Sequence, residues 1–423
     1  MKISLFKRAF TAGVIYCLAA GSAFSATPSE ANQNLVWQNW LKNQIESQPE
    51  VVAAKQQLKA QLFLADGRTQ PLYNPELETE FERLDNEDNY RVGISQTLDV
   101  WGKRSSRSQQ AEFLRLAAEQ SYAQTYQQKL AEALSVLATY QASQARYLLA
   151  QQQEQQIDSL FKLIKNRQKA GDLGQIEVNF SLASLAQRLN ETAQAMADFR
   201  TAETRARELF PNLPSDKAVV PAQLWLENAG SASVENSLNS ADTHPRVLLA
   251  KARWEVQKEA AELASLDTKA DPTLGINTGR DGDEDVVGLT FSIPLNVRNN
   301  FSAERRAADE EALAAEAAYL AVRRNQQYQV QATSSIAQQY QKQLQRLKSL
   351  LQQSNEESLK LLEQQWRTGD LSTNDYLIAL QQNMAGALSA NELQEKFQLA
   401  VIDWLKASGQ VTTRILPSAQ SQI

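Results

Sequence analysis

The chain has 423 residues, a formal net charge of −6, and many alanine, glutamine, leucine and glutamate residues beside only 15 glycines and 11 prolines. Such a composition is typical of long helices. An acidic chain without a basic patch is not expected to bind nucleic acid. With a single histidine and a single cysteine, a zinc or copper site built from His and Cys ligands is also excluded.

Residues 1–25 are predicted to be a secretory signal peptide. Three cations precede an apolar core, Ala9–Ala20, and the small residues Ala23 and Ser25 stand where a signal peptidase cleaves. Removal of this segment would take away Cys17 and three positive charges, which brings the net charge to about −9. Beyond it, no apolar run approaches the length of roughly 18 residues that a spanning helix needs.

The remaining chain consists of two similar halves about 196 residues apart. The segment "YRVGISQTLDVWGKR" returns as "VVGLTFSIPLNVRNN", and "FKLIKNRQKAGDLGQIEV" returns as "LKLLEQQWRTGDLSTNDY". Each half is predicted to contain a short helix, two short strands, a very long helix, a turn and a second long helix. The predicted organisation is a signal peptide at 1–25, a first repeat at 26–210, a linker at 211–242, a second repeat at 243–408 and a C-terminal tail at 409–423.

The first helix of each repeat contains a proline in its first turn, Pro49 or Pro245. Proline is tolerated there because its missing N–H group would have no helical partner. Thr243 is predicted to cap the second of these helices. His244, the only histidine, is interpreted as a residue that flanks the helix rather than as a metal ligand.

Each repeat then contains two runs of about nine residues that alternate between apolar and polar residues, as in "ELETEFE" and "YRVGISQTL". This alternation predicts strands with one apolar and one polar face. The length also matches a tilted strand that crosses a bilayer. The row of glutamates on the first strand would suit a water-filled lumen; its members are Glu76, Glu78, Glu80 and Glu82.

A small soluble sheet that rests on helices is the alternative interpretation of these strands. The two interpretations differ in the environment of Leu77 and Phe81, which would be lipid in one and protein core in the other. Tyr90 and Trp101 lie where interfacial aromatic residues would bracket a membrane strand. Four strands do not close a barrel, and open edges are not tolerated in lipid. A membrane sheet would therefore need several copies of the chain, and both two and three copies are consistent with the sequence.

The long helices are predicted over residues 101–170 and 301–368, each about 100 Å long at 1.5 Å per residue. Their leucines recur at coiled-coil spacing, as at Leu130, Leu134 and Leu137. Each helix ends at a Gly-Asp pair, where glycine favours a left-handed C-cap. The return helices are predicted over residues 175–210 and 372–407, the second one opening with a capping box of Ser372 and Asp375.

Over essentially its whole mature length the chain resembles the TolC-like outer membrane efflux proteins. The resemblance rests on the tandem halves, on the junctions "QTLDVWGKR" and "SIPLNVRNN", and on the helix turns "AGDLGQIEV" and "TGDLSTNDY". It implies a mainly α fold with a small β part, in which a homotrimer closes a 12-stranded barrel in the outer membrane of a Gram-negative bacterium. Long helical hairpins would form an α-barrel in the periplasm.

The resemblance also implies the function and partners. The trimer would be the exit duct of a tripartite efflux pump. The protein is not expected to be an enzyme, since its sequence lacks a phosphate-binding loop and a dinucleotide fingerprint. It would contact outer-membrane lipid, a periplasmic adaptor and an inner-membrane transporter, and it would need no cofactor.

The junction "WGKR" most resembles the CzcC-like heavy-metal efflux branch, although "PLNVRNN" lacks the second proline of that branch. Heavy-metal cations are therefore the expected cargo. The same duct serving drug efflux or type I protein secretion is an alternative, as is a soluble periplasmic coiled-coil scaffold.

By the resemblance, two acidic residues, Glu177 and Asp375, would form a ring at the periplasmic aperture that attracts cations. Ile378 stands where relatives often carry a further acid. A capping role for Asp375 and a solvated helix face for Glu177 are the structural alternatives. The tips of the helical hairpins would dock the adaptor through Gly171, Asp172, Leu173, Gly369, Asp370 and Leu371.

Overall fold

The computed structural model describes residues 28–84, 87–171, 174–214, 218–221, 225, 241–351 and 356–416. The predicted signal peptide, most of the predicted linker and the end of the C-terminal tail lie outside these residues. The chain divides into two compact units. We call residues 49–126 and 240–328 the sheet unit, and residues 1–48, 127–239 and 329–423 the helical unit.

The described residues form long helices and one small antiparallel sheet, as predicted. The helices are α1 Pro28–Glu46, α2 Pro49–Thr69, α3 Lys103–Ala170, α4 Gln175–Leu209, α5 Pro245–Asp267, α6 Ser302–Leu351, α7 Glu356–Thr368, α8 Thr373–Ser408 and α9 Val411–Ile415. The strands are β1 Glu76–Leu84, β2 Glu87–Thr97, β3 Thr273–Asp281 and β4 Glu284–Ser292.

The predicted long helices are present with small differences. Helix α3 is 68 residues long and matches the prediction closely. The second predicted long helix corresponds to α6 and α7, and residues 352–355 between them lie outside the described part of the chain. No helix of the described residues combines the length and the apolar character of a membrane span.

The local signals at the helix ends are mostly confirmed. Helices α2 and α5 begin at Pro49 and Pro245, and Gly171 and Gly369 have φ angles of +80° and +87°, which glycine adopts without a Cβ penalty. The predicted cap Thr243 is wrong. His244 is the N-cap, and its Nδ1 accepts a hydrogen bond from the backbone N–H of Arg246 at 3.0 Å. With proline at the first helical position, the residue directly before it takes the cap position.

The sheet unit contains all four strands in the order β1–β2–β3–β4, and every neighbouring pair is antiparallel. The pairing of β2 with β3 joins the first half of the chain to the second. Strands β1 and β4 are the edges of this sheet. Because the strands pair in register, residues of all four strands align in transverse rows, which we call rungs.

The core of the helical unit is built from the predicted leucine seam and from a second cluster near the helix turns. Leu130, Leu134 and Leu137 are fully buried, which confirms the apolar seam of α3. The second cluster joins residues of α3, α4, α7 and α8; its buried members are Ile157, Leu160, Ile164, Val178, Leu185, Trp366, Tyr376 and Leu377.

Candidate functional site: the two-faced sheet and the helix turns

One face of the sheet is apolar and exposed. Its central rung consists of Leu77, Ile94, Ile276 and Leu289, and Leu77 and Leu289 are 71% and 86% exposed. Phe81 on the same face is 69% exposed. A sheet that rested on helices of its own chain would bury these side chains, so that alternative is wrong for the residues described. An exposed apolar face of this extent is typical of an interaction site or a membrane contact.

The apolar band ends at charged pairs beside the β-hairpin turns. Arg83 lies 3.4 Å from Asp88, and Arg280 lies 3.9 Å from Asp285. Tyr90 pairs with Phe81 across the first hairpin and with Arg280 across the two halves. An aromatic pair and ion pairs near one end of the sheet are typical of a boundary between an apolar layer and water.

The opposite face of the sheet is polar. Glu76, Glu78 and Glu80 face Ser95, Gly93 and Arg91 across the first hairpin. The hydroxyl of Ser95 donates a hydrogen bond of 2.7 Å to Oε1 of Glu78. The four glutamates that the alternation predicted on one face, Glu76, Glu78, Glu80 and Glu82, therefore do lie on the polar side.

Arg91 is a charged residue of this face whose surroundings the sequence did not reveal. Its guanidinium lies 3.7 Å from Oε2 of Glu80 and 3.6 Å from Oδ2 of Asp281. The alternation of β2 already placed Arg91 on the polar side. Only the register of β2 against β1 and β3 brings it to these two carboxylates, which belong to different halves of the chain.

Glycines are confined to the polar face within the strands. A Cβ at Gly93 would lie 2.9 Å from the carbonyl oxygen of Ile276, and a Cβ at Gly279 would overlap the carbonyl of Tyr90. Such close approach of neighbouring backbones requires residues without side chains. Atoms of neighbouring strands therefore approach each other most closely on the polar face, as expected for a sheet that curves towards that face.

The junction between β2 and α3 is held by the residues of the "DVWGKR" segment. The carboxylate of Asp99 accepts hydrogen bonds from the backbone N–H groups of Lys103 (2.9 Å) and Arg104 (2.7 Å) and so caps α3. Burial tends to raise the pKa of Asp99, but these backbone hydrogen bonds and the charge of Lys103 hold that pKa below its ordinary value. Gly102 turns the chain into the helix with a φ of +76°.

Lys103 forms a buried ion pair next to the start of β3. Its ammonium group lies 2.9 Å from Oδ2 of Asp271, with side-chain exposures of 7% and 2%. The hydroxyl of Tyr73 donates a hydrogen bond of 2.8 Å to the same oxygen. Burial, together with the hydrogen bond to Asp271, raises the pKa of Tyr73 to about 12. This cluster ties the segment before β1, the start of α3 and the segment before β3 together, so it anchors both hairpins.

The helix turns place both predicted aperture residues at the third position of a return helix. The carboxylate of Glu177 accepts a hydrogen bond of 3.1 Å from the backbone N–H of Gly174. The hydroxyl of Ser372 donates to the Asp375 carboxylate (2.7 Å) and accepts from the Asp375 N–H (3.1 Å). Glu177 therefore caps its helix, a role that the sequence had assigned only to Asp375. Capping leaves both carboxylates exposed, so an aperture role stays a prediction.

The predicted docking tips are only partly within the described residues. Asp172 and Leu173 lie outside them. Gly171, Gly369 and Asp370 are exposed, and Asp370 accepts a hydrogen bond of 2.7 Å from the hydroxyl of Thr368. Leu371 is partly buried against the second core cluster, so it supports the turn as well as forming part of its surface.

An aromatic stack anchors the second helix turn. Trp366 and Tyr376 lie with ring centroids 4.3 Å apart and planes 7° from parallel. The guanidinium of Arg167 lies 5.0 Å from the centre of the Trp366 ring, and the indole N–H of Trp366 donates to the hydroxyl of Thr373 at 3.2 Å. The turn that carries Asp375 is thus fixed against the end of α3.

Comparison with known proteins bears directly on these features. Residues 40–210 match the family model of the outer membrane efflux protein, and no curated protein sequence matches the chain. The fold is similar to that of the outer-membrane channel OprN, with 16% identity, a TM-score of 0.70, and coverage of 90% of this chain and 92% of that one.

Two further solved structures share the fold. The CmeC outer membrane channel of Campylobacter jejuni has 12% identity and a TM-score of 0.69, with coverage of 90% of this chain and 87% of that chain. The outer membrane protein VceC of Vibrio cholerae has 15% identity and a TM-score of 0.67, with coverage of 88% and 96%. At these identities the likeness establishes the fold.

The description of the matching family agrees with the predicted location in the outer membrane and with the prediction that the protein is not an enzyme. The predicted resemblance to the TolC-like outer membrane efflux proteins is therefore confirmed, by the family model over residues 40–210 and by the fold over most of the chain.

Proposed function

We propose that this protein is the outer-membrane exit duct of a tripartite, RND-type efflux pump, and that it works as a homotrimer. The observation that carries the proposal is the two-faced sheet, whose apolar residues are exposed on one side while its glutamates lie on the other. A bilayer accepts the apolar face, and a water-filled lumen accepts the polar face.

The edges of the sheet support assembly from several copies. Strands β1 and β4 end the sheet, and unpaired backbone groups are costly in lipid. Pairing of β4 of one copy with β1 of the next satisfies both edges, and three copies give a closed barrel of twelve strands. The tight glycine contacts on the polar face favour the curvature that this closure needs.

The helix turns supply the periplasmic end of the proposed duct. The capped first turns of α4 and α8 carry Glu177 and Asp375, and their neighbours Val178 and Tyr376 share one core cluster. Three copies of these two carboxylates would form a ring of negative charge that favours cations. The hairpin tips around Gly171 and Gly369 would meet the periplasmic adaptor, and the inner-membrane transporter would supply the energy.

Heavy-metal cations are the proposed cargo, and they would pass as hydrated ions steered by carboxylates. Among the described residues, no group of three or more His, Cys, Asp or Glu side chains is arranged to hold a metal ion. The duct itself would therefore discriminate by charge, and the transporter would select the metal. Drug efflux or type I protein secretion through the same duct is the alternative that the cargo test below addresses.

The first test is the location and assembly of the expressed protein. We expect it to fractionate with the outer membrane, to have the mass of a trimer in detergent and to conduct in a planar bilayer. Neutralising both aperture residues in Glu177→Gln/Asp375→Asn should lower the preference for cations. Asp198→Asn is the matched control, because Asp198 is exposed on the same helix far from the turn. A monomer that never enters the membrane would contradict the proposal.

The cargo is tested by growth of a strain that lacks its own exit ducts. The protein is expressed there with a periplasmic adaptor and an inner-membrane transporter of an RND-type pump. Increased resistance to heavy-metal salts without increased resistance to drugs supports metal export. The reverse result supports drug efflux, and secretion of a co-expressed protein without either resistance supports type I secretion.

A further inference from the structure

The two faces of the sheet differ in the balance of their charges. Among strand residues whose side chains the structure describes, the face opposite the apolar band carries six carboxylates and one cation, Arg91. The carboxylates are Glu76, Glu78, Glu80, Glu82, Asp281 and Glu284. The apolar face carries two cations and two anions, paired as Arg83 with Asp88 and Arg280 with Asp285. The excess negative charge is therefore confined to one face, and a single guanidinium interrupts it.

The contacts of Arg91 are loose and solvated. The nitrogen–oxygen distances of 3.7 and 3.6 Å to Glu80 and Asp281 exceed those of direct hydrogen bonds. The side chains of Arg91, Glu80 and Asp281 are all about half exposed or more. Exposed pairs of this kind contribute little to stability. The main physical effect of Arg91 is therefore its positive charge at this level of the polar face.

We propose that Arg91 is a selectivity-determining residue, which limits the preference of the barrel lumen for cations over anions. This inference rests on the proposed function, because it requires that the polar face line an aqueous pore. Three copies of the chain would place three guanidinium groups in one acidic wall. Arg91 there lowers the local concentration of cations and raises that of anions.

The expected size of the effect follows from Coulomb's law. One unit charge about 7 Å from a permeating ion in water changes the local ion concentration about two- to threefold. Salt screens this effect over about 10 Å at 0.1 M. Removal of Arg91 should therefore raise the cation-to-anion permeability ratio at least twofold at 0.1 M salt, and by less at 1 M salt.

The test is the reversal potential of purified trimers in a planar bilayer under a gradient of KCl. We expect Arg91→Gln to raise the K⁺-to-Cl⁻ permeability ratio at least about twofold, and Arg91→Lys to leave it near the wild-type value. The matched control is Arg280→Gln, which removes an arginine of the same sheet, also paired with a carboxylate, from the opposite face. It should leave the ratio unchanged.

A thiol variant separates charge from any effect on assembly. Cys17 is the only cysteine and lies in the predicted signal peptide, so Arg91→Cys adds the sole thiol of the mature chain. Trimers of Arg91→Cys should regain the wild-type ratio when a trimethylammonium methanethiosulfonate restores the positive charge. A sulfonate reagent should move the ratio further towards cations.

The outcomes distinguish the role of Arg91 from the proposed duct function. If wild-type trimers conduct, and if neither Arg91→Gln nor modification of Arg91→Cys changes the permeability ratio, the role of Arg91 is refuted while the duct stands. If wild-type protein forms no conducting trimers at all, the proposed function fails, and the inference about Arg91 fails with it.

Discussion

The guanidinium of Arg188 donates a hydrogen bond of 2.9 Å to the backbone carbonyl oxygen of Leu377. This bond joins helix α4 to helix α8 only two residues beyond Asp375. Arg188 is 2% exposed. Among the described residues its Nε has no hydrogen-bond partner, and no carboxylate forms an ion pair with it. Burial lowers the pKa of Arg188, and the nearby Glu191 and Tyr376 only partly oppose this shift. The two return helices are thus joined by a buried cation that forms no ion pair with the described carboxylates.

Arg188→Met is expected to stabilise the protein. A buried ion carries a desolvation penalty, so an apolar side chain of similar length in its place should be neutral or stabilising. Because this cation forms no ion pair with the described carboxylates, little attraction is lost. We expect a higher midpoint of thermal unfolding in detergent, measured by circular dichroism on purified protein.

Arg146→Met is the contrasting variant for this prediction. Arg146 lies 2.6 Å from Glu395, and both side chains are largely buried. Its removal leaves a carboxylate without its partner, so the unfolding midpoint should fall. A lower midpoint for Arg188→Met as well would mean that the bond to Leu377 contributes more than the buried charge costs.

Lys103→Met should destabilise the sheet unit strongly. The variant leaves the carboxylate of Asp271, which is almost fully buried, without a cation, and breaking one partner of a buried pair costs about 3–5 kcal/mol. The double variant Lys103→Met/Asp271→Asn removes the orphaned charge while it keeps an acceptor for Tyr73. It should recover much of the loss, and a double-mutant cycle of chemical unfolding measures the coupling. Strictly additive effects would show that the pair contributes nothing beyond its separate members.

Asp99 should make the free energy of unfolding depend on pH in the acid range. Its folded pKa lies below the ordinary value, so its contribution is complete above that ordinary value and is lost as the pH falls through the lower, folded pKa. Asp99→Ala is therefore expected to cost about 0.5–2 kcal/mol near neutral pH. The difference from wild type should shrink as the pH is lowered below about 4. Unfolding curves at several pH values check this, and a constant difference would contradict the capping role.

Gly279→Val should prevent assembly of the proposed trimer. A Cβ at this position would overlap the carbonyl of Tyr90 and approach the backbone of Arg91, and it would therefore disturb the pairing of β2 with β3. Thr278→Val is the control, because Thr278 is the neighbouring residue on the exposed apolar face. The fraction of protein that migrates as a trimer in detergent is the measurement. Normal trimers from Gly279→Val would mean that the sheet is not held as tightly as its contacts indicate.

Several of these features could be read from residue order because they depend on local chemistry. The prolines at 49 and 245 and the glycines at 171 and 369 mark helix ends through their own backbone preferences. The cap of α5 shows where this reasoning fails. Threonine is the commoner cap, yet His244 occupies the position because it directly precedes the proline. The frequency of a residue type at N-caps does not decide between Thr243 and His244, whereas the position of Pro245 at the start of the helix does.

The sequence by itself determined which residues share a face, because alternation in a strand and heptad spacing in a helix follow from the backbone period alone. It thereby placed Glu76, Glu78, Glu80 and Glu82 opposite Leu77 and Phe81, and it identified the long helices and their turns. Only the tertiary structure decided which residues meet across the chain. The register of β2 against β1 and β3 brings Arg91 to Glu80 and Asp281, and helix packing buries Arg188 against Leu377. Such contacts join residues up to about 190 positions apart, and no local period of the chain encodes that distance.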